Sequence, residues 1–112
     1  KGDNIIREDI KKEVINYGYS LANLGTFYII DSIEIVCKSD NPIKILKDIE
    51  NNIYKNLAKK YKQNWKTIKS NIVNATNNMN NLRYSKSENS KILRYSPKMV
   101  IGDIADKVKC IK

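Results

Sequence analysis

The chain has 112 residues, enough for one domain with a modest core and too few for two. With 41% hydrophobic and 29% charged residues, and only four Gly and two Pro, it has the apolar material to fold and few turn formers, a balance that favours helices over disorder. The net charge is +9, there is no His, and the two cysteines, Cys37 and Cys110, lack metal-ligand spacing, which excludes zinc fingers and His-based catalysis and leads us to expect no metal and no cofactor.

Helical periodicity recurs four or five times along the chain, and no alternating strand pattern competes with it. Ile6, Ile10, Val14 and Tyr17 form the first apolar stripe, with Asp3 and Asn4 as capping candidates before it and Gly18 as its stop. A second helix is predicted from about residue 26 to 38, with Ile29, Ile33, Val36 and Cys37 inward and Asp31 and Glu34 outward. Asn41-Pro42 starts a third, Asn as cap and Pro in the first turn. From there Leu46, Ile49, Ile53 and Leu57 keep helical spacing, and we expect a break near Asn51-Asn52. Ser96-Pro97 repeats the start signal, and Ile101, Ile104, Val108 and Ile111 make the last stripe. Residues 80–95 are polar, with only Leu82, Ile92 and Leu93 to anchor them, and read as a loop with at most one short helix. Both cysteines fall on apolar faces, where a reduced, buried thiol is expected. The longest purely apolar run, Phe27-Tyr28-Ile29-Ile30, is far short of a membrane span, and the first residues do not read as a signal peptide. The expectation is a cytoplasmic protein with no membrane partner.

Lys, Asn, Ile and Tyr, all with A/T-rich codons, are abundant, so the placement of charge says more than its total. Residues 1–50 hold seven Lys or Arg and nine Asp or Glu, residues 51–87 hold eight and none, and residues 88–112 hold six and three. An even spread would put about four acids in the middle segment. A basic surface is therefore expected there, and the same segment holds a pattern suited to a helix-turn-helix at about 53–79. Its first helix ends Leu57-Ala58-Lys59-Lys60-Tyr61, with Ala58 small enough for a steep helix crossing, and Lys62-Gln63-Asn64 makes the turn without the glycine common there. Asn64 suits the cap of a second helix at 65–79. On that helix Ile68, Ile72, Ala75 and Met79 share one face, and Trp65 reads as a packing residue. Asn71 stands where an apolar packing residue is expected. The opposite face carries Lys66, Thr67, Lys69, Ser70, Val73, Asn74 and Asn77, residue types that suit base edges in a major groove: Lys for guanine, Asn for adenine, Val for the thymine methyl. Lys55, Lys59, Lys60 and Lys62 are the expected phosphate contacts.

Asn16-Tyr17-Gly18, the run from Leu24 through Gly25-Thr26-Phe27-Tyr28 to Ile33, Ile53-Tyr54 through Lys60-Tyr61, and Ile104-Ala105-Asp106-Lys107-Val108 together give the chain a further character. In order and spacing it resembles the carboxy-terminal DNA-binding effector domain of the stage-zero sporulation protein A family, the response regulators that initiate sporulation. The resemblance covers nearly the whole chain. It implies an all-α domain of about six helices and a phosphorylatable receiver domain upstream of a chain that here begins at Lys1. It also implies double-stranded DNA as partner, a homodimer on tandem DNA sites, and contact with RNA polymerase sigma factor. The chain departs from the family pattern at Thr67, Ser70 and Val73, where members carry arginine, and around 84–93, which is shorter and lacks the apolar stretch that members set against sigma factor. A divergent paralogue is the expectation, with a DNA site of its own.

The main alternative is a helical protein-interaction module that pairs with or antagonises a related regulator. RNA binding would more often use an exposed aromatic platform, whereas the tyrosines here are scattered along the helices. An enzyme is not expected, since no nucleophile–base pair is visible.

Overall fold

The computed structural model describes residues 2–86 and 93–108, with side chains from Arg7 onward. Within them lie six α-helices: α1 (Gly2–Tyr17), α2 (Leu24–Lys38), α3 (Pro42–Lys47), α4 (Lys55–Tyr61), α5 (Trp65–Lys86) and α6 (Pro97–Lys107). A π-helical turn, Glu50–Tyr54, runs directly into α4. No strand occurs among the described residues, so the all-α reading of the sequence holds.

The architecture follows from α2, which is apolar or buried on almost every side: Gly25, Thr26, Tyr28, Ile29, Ile30, Asp31, Ser32, Ile33 and Val36 are all buried. A helix without a polar face has to be surrounded. Here α1, α5 and α6 pack around it, and α3, α4 and the π-helical turn also touch it. One continuous core results, with Ile10 and Val14 from α1, Ile53 from the π-helical turn, Leu57 from α4, Ile68 and Ile72 from α5, and Ile101 and Ile104 from α6 all fully enclosed. The buried hydroxyls find partners there, whereas the Arg83 Nε, also buried, has none among the described residues. Ser32 Oγ donates to the Tyr28 carbonyl at 2.6 Å, Thr26 Oγ1 to the Ser20 carbonyl at 2.6 Å, and the Tyr19 and Thr76 hydroxyls meet at 2.8 Å.

Start and stop signals acted largely as their residue types dictate. Asn41 Oδ1 accepts the Lys44 N–H and Ser96 Oγ accepts the Met99 N–H, so both X-Pro starts are true caps. Gly18 takes a positive φ of 118° and ends α1, with Tyr19 N–H reaching back to the Val14 carbonyl. Asp3 and Asn4 are not caps, because α1 already begins at Gly2. The third stretch breaks at Asp48 rather than at Asn51-Asn52. Asp48 leaves helical geometry and its carboxylate accepts the Asn51 backbone N–H and side-chain amide, the hydrogen bonds that hold this carboxyl below its ordinary pKa.

Three expectations need correction. Asp31 is 2% exposed, not outward, because α2 offers no solvent face at that position. Cys37 is half-buried and disulfide-bonded, not a free thiol, and Cys110 lies outside the described residues, as do Ile92 and Ile111. Residues 80–86 are helix, not loop. α5 continues because Asn80 is buried and its side chain clasps Tyr95, donating to the Tyr95 carbonyl at 2.8 Å and accepting its N–H at 2.9 Å. Leu82 and Leu93, the expected anchors, are exposed. Arg83 lies instead against the rings of Tyr17 and Tyr95, each 5.2 Å away, and donates to the Tyr17 carbonyl.

The tightest crossing is between α2 and α5. A Cβ on Gly25 would overlap the Asn71 carbonyl and lie 2.9 Å from the Ala75 Cβ. This explains Asn71: at this position the backbone, not the side chain, packs on α2, and the side-chain amide turns back to the Thr67 carbonyl at 3.0 Å.

Candidate nucleic-acid interface

The basic segment folds as two helices joined by a three-residue turn. α4 is closed by Lys62, which takes a left-handed conformation with φ 54° and ψ 46°. Its N–H reaches the Lys59 carbonyl, and the Gln63 N–H reaches the Ala58 carbonyl at 3.0 Å, so the helix ends in the six-to-one motif that usually employs glycine. Lysine stands where the missing glycine would be. Asn64 then caps α5: its side-chain oxygen accepts the Lys66 N–H at 2.8 Å and its carbonyl accepts the Thr67 N–H at 3.0 Å.

The faces of α5 separate as their spacing predicts. Ile68, Ile72, Ala75 and Met79 are at most 1% exposed, while Lys66, Thr67, Lys69, Ser70, Asn74 and Asn77 are exposed and Val73 is half-buried. All seven residues expected to face bases therefore lie on the outward side of one helix. Leu57 is buried and Ala58 half-buried beneath it. Tyr61 turns to α2 instead, its ring 5.1 Å from that of Tyr28 and its hydroxyl donating to Asp31. Burial and the Asp31 carboxylate push the Tyr61 phenol up to about 12.

Lys55, Lys59, Lys60 and Lys62, the expected phosphate contacts, are all exposed, three on α4 and one in the turn. They differ in their surroundings. The Lys60 ammonium lies 3.6 Å from Asp31, which also receives Arg7 of α1 at 2.8 Å. Lys55 and Lys59 form no ion pair within 4 Å among the described residues. They line an open depression of about 580 Å³ between α4 and the start of α5, together with Ala58, Gln63, Asn64, Trp65 and Lys66. Trp65 is half-buried at its wall, with the Lys55 ammonium 5.6 Å and the Lys66 ammonium 6.0 Å from the ring centre.

Asp31 and Tyr61 are the members of this neighbourhood that spacing did not reveal. The one local signal was that Asp31 directly follows the apolar run Phe27-Tyr28-Ile29-Ile30, which does not name its partners. No described helix is long and apolar enough to cross a membrane. No protein-family model, curated protein or solved structure matches the chain.

Proposed function

We propose that this chain is a sequence-specific DNA-binding transcription regulator in which residues 65–79 of α5 enter the major groove and α4 lies across the backbone. One observation carries the reading: the outward face of α5 is polar and basic, and no acid occurs anywhere in residues 51–87 to repel phosphate. Lys55, Lys59, Lys60 and Lys62 serve phosphates, while Lys66, Lys69, Asn74 and Asn77 present hydrogen-bonding groups, and Thr67, Ser70 and Val73 smaller contacts, to base edges. The resemblance to the sporulation response-regulator effector domain supports the same reading. It extends the proposal to regulation of sporulation in the cytoplasm, to a homodimer on tandem sites and to sigma factor as a partner.

The test is a salt-series titration against a duplex selected from a random library and a scrambled duplex of the same composition. The selected duplex should bind more tightly. Asn74→Ala should cost discrimination by about 1–3 kcal/mol and spare non-specific binding. Lys59→Ala should weaken both duplexes alike and reduce the salt slope by about one. Equal affinity for every duplex, with Asn74→Ala silent, reduces the surface to a generic basic one. Absence of binding at low salt favours a helical module that pairs with a related regulator.

A further inference from the structure

The depression beside Trp65 divides the lysines differently from their order along the chain. Its lining contains Lys55, Lys59 and Lys66 and no acid. Lys55 comes from the first turn of α4 and Lys66 from the first turn of α5, yet both ammonium groups converge on the same indole. Lys60, on the same short helix as Lys55, points its charge at Asp31 instead. An aromatic wall bracketed by cations that have no carboxylate among the described residues within ion-pair distance is matched by an anion attached to a ring with a C–H face. A backbone phosphate with its deoxyribose has that form.

We infer that the depression between α4 and the start of α5 seats one phosphate and its sugar, with Trp65 against the deoxyribose and Lys55, Lys59 and Lys66 on the phosphate. Lys66 thereby moves from the base-reading set to the phosphate set, and Trp65 becomes a DNA contact as well as a packing residue. The ring gives the sugar an apolar surface and the indole N–H offers a donor to a phosphate oxygen. Lys66, whose ammonium is held back over the ring, then contributes affinity without sequence preference. This inference rests on the DNA-binding reading and specifies where one strand crosses the motif.

Trp65 is the sole tryptophan, so its emission reports this site alone. Adding either duplex to the unmodified chain should change Trp65 emission in step with binding measured by anisotropy of labelled DNA. Lys66→Ala should lower the salt slope by about one and leave the ratio of selected to scrambled affinity unchanged. Trp65→Phe should weaken both duplexes by roughly three- to tenfold, the loss of one charge-assisted hydrogen bond and part of a packed face. Each variant is first matched to the unmodified chain by helical circular dichroism and melting temperature. Unchanged emission at saturating DNA overturns the inference, as does a Lys66→Ala variant that loses discrimination with its salt slope intact. In both cases DNA binding itself still stands. If the unmodified chain binds neither duplex at low salt, the DNA-binding reading fails and takes this inference with it.

Discussion

Lys62 occupies a backbone conformation that its side chain disfavours. At φ 54° an L residue with a Cβ pays about 1 kcal/mol or more that glycine avoids, partly offset by the entropy glycine loses on folding. Lys62→Gly should raise stability by about 0.5–1 kcal/mol, read as a higher chemical denaturation midpoint at unchanged slope, and, on the proposed function, weaken DNA binding through the lost charge. A lysine kept at a glycine position is consistent with a charge used at the surface. Gly25 is the opposite case, since space, not φ, fixes its identity. Gly25→Ala would drive a methyl into the Asn71 carbonyl and against Ala75, and should cost about 3 kcal/mol or more in the same measurement.

At the scale of elements, Asp31 joins three helices: Arg7 of α1 and Lys60 and Tyr61 of α4 all converge on the middle of α2. Glu34 shares Arg7, at 2.6 Å. Such a buried carboxylate leaves a mark at alkaline pH through its tyrosine. Burial and Asp31 hold Tyr61 up to about 12, and burial does the same for Tyr19, against an ordinary value of 10. Tyr54 is raised by burial, and Tyr17 by burial and by its hydrogen bond to Asp103 at 2.6 Å. Because folding raises these values, the native state holds the phenolic protons more tightly than the unfolded chain. The stabilisation is complete below pH 10 and is lost as the pH climbs through about 12. Ultraviolet titration should therefore show Tyr19 and Tyr61 forming phenolate late and together with loss of helical circular dichroism. All tyrosines ionising near pH 10 in a chain that stays helical would contradict the packing described for α2.

Across the whole molecule, a single core draws on α1, α2, α4, α5 and α6, within a radius of gyration of 13.6 Å. Unfolding should be one cooperative transition, with Trp65 emission and helical circular dichroism superimposing; separated transitions would mean that the α4–α5 pair melts by itself. Much of this plan was legible in the sequence. Ile68, Ile72, Ala75 and Met79 announced the buried face of α5, and Asn41, Asn64 and Ser96 announced caps, because each depends on spacing or on a local hydrogen bond. What escaped depends on partners distant in the chain. Asp31 looked outward because nothing local shows that Arg7 and Tyr61 will enclose it, and 80–86 looked like loop because the residue that Asn80 clasps lies 15 positions later. The bare backbone at Gly25 has one more consequence. Helices that meet through side chains can slide by exchanging rotamers, but main chain resting on main chain has no such freedom. α5 is thus anchored near Asn71, and the DNA-binding proposal predicts association without refolding of its main chain. On the DNA-binding proposal, the entropy lost on association would fall on exposed side chains such as Lys69 and Asn74, and any bending required for a close fit would fall to the partner.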